Sequence, residues 1–515
     1  MTSRAAGVLA MIAVFAAAVA GQIAPAEEAE KIAEFRKYYS DESPFVRVSA
    51  VRTLGVDNLE AAELIVNALS DPDWRVVRAA EEALGKFKSR PVIDWLGRKA
   101  MLGNDGLLRA RIATAFGEIG DPLVVPILGK MLEARQPEVR RAACHSLAKY
   151  KDGRAIPQIS AIALSDKEPD VRIAAIDALT AIADPKSADT VNKCLADPQW
   201  QVRAAAVKAA VACRQKSSVT TLIARMQKEE GRLLTDFSEG LRDLTGMPWR
   251  EEPERWAGWW KTNEAIFKVP TKAALEDARR QQAAAGSEYA PPKAPKYHTI
   301  QTFSEHIVFV IDASQSMGDK IVFDPKYEEE AKKKYTSRIK LDIVKQELIE
   351  LIFNFKENVN FNIIPFASEV KKWEDRPVQA TEGNKSRAIK FLRSLEPIGM
   401  LPLGGGGARS RAGAGDPRAG KTNTFAGLLA GLEIPKAGMV GKILAPSKAD
   451  TMFFLSDGNP STGDIVDRDA ILAEIQRLNS TRKIAIHTIT FSKDNKEFMQ
   501  SLAIQNGGTF VAVGG

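Results

Sequence analysis

At 515 residues the chain is too long for one hydrophobic core and divides into two or three domains. Hydrophobic residues make up 45% and charged residues 27%, ordinary for a soluble globular protein. The 72 basic residues nearly balance the 65 acidic ones, and no basic stripe or recognition motif accompanies the net charge of +7, so nucleic acid is not an expected partner.

Met1 to Ala20 carries Arg4 and then an uncharged run, Ala5 to Ala20, ending in Ala18-Val19-Ala20. Small residues before Gly21 fit a cleaved export signal, which would place the protein in the periplasm, the cell envelope or outside the cell. The run is short of the ~20 residues a spanning helix needs and is rich in Ala. An uncleaved anchor is the alternative, and no membrane span is expected after cleavage. The three cysteines, Cys144, Cys194 and Cys213, lack CxxC spacing and sit in Ala-rich helical contexts as small buried hydrophobes, with a Cys194 to Cys213 bridge as the other reading.

A pattern of Asp or Asn, a short gap, Val-Arg and small residues then recurs, anchored at Val46, Val76, Leu108, Val139, Val171 and Val202, with spacings of 30 to 32 residues. Six copies at that period predict an array of helical pairs. The anchor and the residues four and eight later are mostly apolar, as in Val46, Ala50 and Leu54, which makes one helical face. Alanines such as Ala142 and Ala143 or Ala174 and Ala175 allow close helix approach. Asp41, Asp71, Asp166 and Asp197, five residues before their anchors, are placed to cap helix N-termini, and Pro72 and Pro198 suit the first turn. Partner helices are expected at Leu59 to Leu69, Pro122 to Leu132 and Ile156 to Leu164.

This arm, taken as residues 27–228, resembles HEAT repeats of the short kind seen in phycobilisome lyase-like proteins. In that resemblance Arg47, Arg109, Arg140, Arg172 and Arg203 would ladder with the aspartates. The second copy departs, with Val77 flanked by Arg75 and Arg78. A solenoid offers an extended surface on which a second protein can bind, and no catalytic constellation appears in it. From residue 229 to 268 the pattern lengthens and gathers Trp249, Trp256, Trp259 and Trp260. The last three share a helical face, which fits a cap on the open end of the solenoid better than a sugar platform. Residues 269–304 are rich in Ala, Gln, Pro and Lys and read as a linker, semi-extended near the prolines.

From residue 305 to 515, strand-like runs (Ile307 to Ile311, Phe361 to Phe366, Met452 to Leu455, Ile484 to Phe491) alternate with helical ones (Leu341 to Phe355, Ala388 to Leu395, Thr424 to Leu432, Asp469 to Leu478, Glu497 to Gln505). That order predicts an α/β doubly wound, mostly parallel sheet, so the whole chain is multidomain, an all-α solenoid followed by an α/β domain. The first strand runs IVFVIDASQSM from Ile307 to Met317, and Asp312, Ser314 and Ser316 crowd its exit. Burying three oxygen side chains there requires either hydrogen-bond donors or a hard cation. Thr422, ahead of a helix, and Asp457, at the end of TMFFLSD, bring further oxygens to the carboxyl edge of the sheet, where such folds bind ligands.

DASQS, TNT and SDG in these three segments resemble the motifs of the von Willebrand factor type A domain. The resemblance implies a metal-ion-dependent adhesion site of Asp312, Ser314, Ser316, Thr422 and Asp457 holding Mg2+, or Mn2+ or Ca2+ in its place. A coordination position would remain for an acidic residue of a protein partner, in a protein that is no enzyme. Gln315 replaces the family's frequent glycine. Two insertions, Phe323 to Arg338 and Gly404 to Gly420, would sit near the metal edge, either shaping the partner surface or loose. Gly415 to Thr422, GDPRAGKT, also fits a phosphate-cradling loop, but no buried strand leads into it, as that loop requires, and the NTPase reading leaves DASQS unexplained. A third reading is a structural envelope protein whose metal only stabilises the fold.

Overall fold

The computed structural model describes residues 25–285, 295–323, 325, 328–398, 420–435, 439, 441–443 and 445–513. The expected export signal, most of the Gly- and Arg-rich insertion, and Pro291 and Pro292 of the expected linker lie outside them. The chain forms two compact units, one of Met1–Thr190 with Met439–Ile443 and one of Val191–Gly438 with Leu444–Gly515.

The first unit is built of paired helices. Pro44–Thr53, Trp74–Leu84, Gly106–Ile119, Pro137–Tyr150 and Pro169–Ile182 carry the sequence anchors, and Leu59–Ala68, Val125–Met131 and Ile156–Ser165 are partner helices where periodicity predicts them. The anchor-side alanines Ala79, Ala80, Ala142, Ala143, Ala174 and Ala175 are all buried. Small residues set the spacing. A Cβ added to Gly117 would stand 2.8 Å from Ser146 Oγ, and that hydroxyl donates to Ala113 O at 2.7 Å across the same helix pair.

The repeat aspartates do something other than the capping expected of them. Asp41, Asp71 and Asp166 lie two residues ahead of the N-cap residues Ser43, Asp73 and Glu168, whose backbone N–H groups they accept at 2.7, 2.9 and 3.0 Å. Pro72 likewise precedes its helix. The carboxylates of Asp71 and Asp166 also take arginines of the preceding repeat. Arg47 binds Asp71 through two bonds of 2.9 Å, and Arg140 binds Asp166 at 2.6 and 2.9 Å. A second edge of each guanidinium holds carbonyls of its own repeat, Asp41 O and Glu42 O for Arg47, Ala134 O and Arg135 O for Arg140. Each arginine therefore fixes one loop to the next. In the divergent second copy Val77 is buried, and Arg75 and Arg78 pair locally with Asp73 and Glu81.

The second unit contains the remaining repeat helices, Trp200–Cys213 and Lys216–Met226, followed by Gly231–Thr245, Pro253–Asn263 and Lys272–Ala285. Asp197 again binds the N-cap residue's N–H, at 2.8 Å from Gln199, with Pro198 outside the helix. Arg203 ladders with Glu229 at 3.0 Å. Trp256 and Trp260 are buried, and Trp249, Trp256 and Trp259 meet edge to face at 5.2 to 6.2 Å between centroids. The stretch read as a linker holds the helix Lys272–Ala285 and a hairpin of β1 (Lys296–Tyr297) and β2 (Ile300–Gln301). Its turn residues His298 and Thr299 have φ of +43° and +75°. The hairpin seats Tyr297 in the core against Phe309 and Phe453, 5.5 and 5.3 Å away.

The sheet of this unit comprises β3 (His306–Asp312), β4 (Asn360–Phe366), β5 (Val378–Gln379), β6 (Thr451–Leu455), β7 (Ala485–Thr490) and β8 (Phe510–Ala512) in the order β5-β4-β3-β6-β7-β8. All neighbours are parallel except the β4–β5 edge pair. Phe309, Phe453 and Phe361 face one layer of the core, and Phe366 stacks on Phe454 at 5.4 Å in the other. The chain leaves β3 toward β4 on one side and returns as β6 on the other. The carboxyl ends of β3 and β6 thus flank the point where strand order reverses, the crevice in which doubly wound sheets hold ligands. At the opposite, amino ends of the strands, Arg232 on Gly231–Thr245 donates to Asp450 O at 2.8 Å and Gln201 to Ser447 O at 3.0 Å.

Candidate metal centre

Asp312 closes β3, in register with Phe366 of β4. The turn after it is fixed by backbone bonds, Ala313 N to Phe366 O at 2.7 Å and Ile398 N to Ala313 O at 2.8 Å, and becomes one 3-10 turn at Gln315–Gly318. The Asp312 carboxylate is fully buried, and each oxygen has its own donor: Ser314 N–H at 2.8 Å on Oδ1 and the Ser456 hydroxyl at 2.6 Å on Oδ2. Ser314 Oγ lies 3.2 Å from Ser316 Oγ, and Ser316 donates to Asp457 Oδ1 at 2.8 Å.

Thr422 reaches the same edge because the helix behind it lies close on the sheet. A Cβ on Gly427 would stand 2.9 Å from the Phe366 ring, and one on Gly431 would stand 2.7 Å from Val310 Cγ2, so only glycine permits this approach. Asn423 caps the helix, accepting from Ala426 N–H at 3.1 Å. The Gly458 Cβ position would be 2.9 Å from Thr422 Oγ1 and 3.8 Å from Ser316 Oγ, which puts both hydroxyls beside the turn that follows Asp457. Asp312, Ser314, Ser316, Thr422 and Asp457, drawn from three segments, therefore converge, all buried except the part-exposed Ser316. Gln315 is exposed.

Two carboxylates and three hydroxyls share one strand edge. Burial, and then the charge of Asp457, push the Asp312 carboxyl up to about 6. The donor set is all oxygen, the chemistry of a hard divalent ion. Among the described residues no group of three or more His, Cys, Asp or Glu side chains is placed to hold a metal, so the hydroxyls are essential to this candidate.

Sequence reasoning missed two participants. Ser456 was signalled only by standing between a buried strand and an acidic residue. Lys340 had no linear signal, since 117 residues separate it from Asp457, whose Oδ2 its ammonium meets at 2.6 Å. The insertion beginning at Phe323 brings Lys340 there. Its base is closed by Ile321 N to Arg338 O at 2.8 Å, its helix is Glu328–Lys334, and Tyr335 stacks on Phe323 and donates to Glu347 at 2.8 Å. The described part is anchored beside the candidate site. Of the phosphate-loop segment, residues 415–419 lie outside the described residues. Lys421 is exposed, and the amides a phosphate would need are engaged, Thr422 N–H with Ser461 Oγ at 2.9 Å and Asn423 N–H with Ala367 O at 2.8 Å.

Cys144, Cys194 and Cys213 are buried thiols. No helix among the described residues is long and apolar enough to cross a membrane.

The model of the HEAT repeats family matches residues 32–106, 98–168 and 156–236. Among curated proteins the chain is 27% identical over 217 residues to inter-alpha-trypsin inhibitor heavy chain H1 of Mesocricetus auratus, covering 42% of this chain and 19% of that one. It is 24% identical over 221 residues to inter alpha-trypsin inhibitor, heavy chain 4, of Mus musculus, covering 43% and 18%. The match spans about a fifth of these relatives' length. Among solved structures, von Willebrand factor type A from Catenulispora acidiphila aligns at 16% identity and a TM-score of 0.27 over 41% of this chain and 39% of that one. The repeat match, the doubly wound sheet and the motifs at its carboxyl edge together identify the chain as HEAT repeats followed by a von Willebrand factor type A domain.

Proposed function

We propose that this chain is an exported, non-enzymatic protein-binding protein that engages an acidic residue of its partner through a divalent cation, with the HEAT arm as scaffold and second docking surface. The observation that carries the reading is the convergence of two carboxylates and three hydroxyls from three distant segments on one buried strand edge. Asp312, Ser314, Ser316, Thr422 and Asp457 would hold the ion. When bound, Mg2+, or Mn2+ or Ca2+ in its place, supplies a hard acceptor for one more carboxylate oxygen. The protein's own contribution is rigidity. The Ser314 amide and the Ser456 hydroxyl fix Asp312, and the Thr422 backbone is tied to Ser461 through N–H at 2.9 Å and C=O at 3.0 Å. Such preorganisation leaves little ordering entropy to lose on binding.

The test is capture of partners from a cell-envelope extract on the immobilised full chain in Mg2+ and in chelator, beside Asp312→Ala. Partners retained in Mg2+ and lost in both other conditions support the reading. Equal capture in all three overturns it. Thermal stabilisation by Mg2+ without metal-dependent capture would leave a structural role for the ion, and ATP binding lost in Lys421→Ala would favour the NTPase.

A further inference from the structure

Lys340 is the first residue of the helix Lys340–Phe353, at the positive end of its dipole, where anions are favoured and a cation is not. Its side chain nevertheless turns into the candidate site. Nζ donates to Asp457 Oδ2 at 2.6 Å and lies 3.4 Å from Ser316 O, and the two side chains are 15% and 1% exposed. Backbone bonds hold it there, Lys340 N to Asp319 O at 3.1 Å and the bridge pairing Lys320 with Ile339. Asp457 is thus divided. One oxygen takes the Ser316 hydroxyl, itself in the donor set, and the other takes a fixed ammonium.

The charge count follows. Asp312 and Asp457 carry two negative charges and Lys340 returns one, so a divalent ion bound among them leaves the site with a net positive charge. Without the lysine the two carboxylates alone would neutralise the ion. We infer that Lys340 is a built-in counter-charge that weakens the hold of the site on its own metal and keeps the loaded site cationic, ready for an acidic side chain. It is a positioning residue and no metal ligand, and the inference rests on the metal-site reading above.

The experiment is a Mn2+ titration of the full chain, with free Mn2+ followed by electron paramagnetic resonance, on wild type and on K340M, K340Q and K340R. Circular dichroism establishes that each variant is folded. Both neutral variants are expected to bind Mn2+ on the order of tenfold more tightly than wild type, because a like charge beside the ion is removed, and K340R to stay within about twofold. If the folded neutral variants bind Mn2+ no better than a wild type that does bind, the counter-charge is wrong and the metal site stands. If wild type and all three variants bind none, both fall. Binding by the neutral variants alone supports the inference in its strongest form.

Discussion

His298 offers a local test of the unforeseen hairpin. The ring is 3% exposed, lies edge to face with Phe491 at 5.9 Å, and its Nε2 has no hydrogen-bond partner among the described residues. A proton added there would be buried with nothing to accept it. Burial lowers its pKa to about 4 from the ordinary 6.5, with Glu347 opposing and Lys334 assisting. The folded value lies below the unfolded one, so the unfolded chain takes up the proton first. Stability contributed by neutral His298 is present above pH 6.5 and lost as pH falls toward 4. From about pH 7 to about pH 5 the loss amounts to about 2 kcal/mol, from the difference between the two binding curves. The assay is hydrogen exchange of peptides covering 296–312, corrected for intrinsic rates, in wild type and His298→Leu. Wild type should lose protection by that amount over this range relative to the variant. Parallel pH dependence in the two proteins would refute the reasoning.

In the repeat arm, Arg140→Ala leaves the Asp166 carboxylate, 3% exposed, without its guanidinium, and should cost about 3–5 kcal/mol in chemical unfolding. Arg140→Met with Asp166→Leu should recover most of that loss, and a single variant within experimental error of wild type would show that the ladder contributes no stability. Gly508→Ala would put a Cβ 1.9 Å from the backbone oxygen of Ile486, an atom that cannot swing aside, so β8 must part from β7. A loss of about 1–3 kcal/mol and of amide protection at Phe510–Ala512 is expected, and unchanged protection would contradict it.

Much of this architecture was legible because it repeats or alternates. Six anchors at a near-constant period could only be stacked helices, and apolar runs such as Ile307 to Ile311, ending in oxygen side chains, could only be buried strands with a site at their exit. Asp312, Ser314, Ser316, Thr422 and Asp457 were found through motifs, each short and local. What escaped was set by tertiary partners. The repeat aspartates resemble caps in sequence, but they stand two residues ahead of the N-cap, and Asp71 and Asp166 take arginines of the preceding repeat. The linker-like composition around Tyr297 concealed a hairpin whose stability comes from Phe309 and Phe453. Edge strands β5 and β8 are two and three residues long, too short for alternation to register. Lys340 enters the site only because its backbone bond to Asp319 and the Lys320–Ile339 bridge bring it beside Asp457.

The central claim is that the five oxygen side chains at the end of β3 hold a divalent cation, and the most direct measurement is anomalous diffraction from a crystal grown in Mn2+. A manganese peak within about 2.0–2.6 Å of oxygens of Ser314 and Ser316, with Asp312, Thr422 and Asp457 bound directly or through water, is the predicted result. A well-ordered site with no peak there, or a peak only elsewhere on the chain, would contradict it.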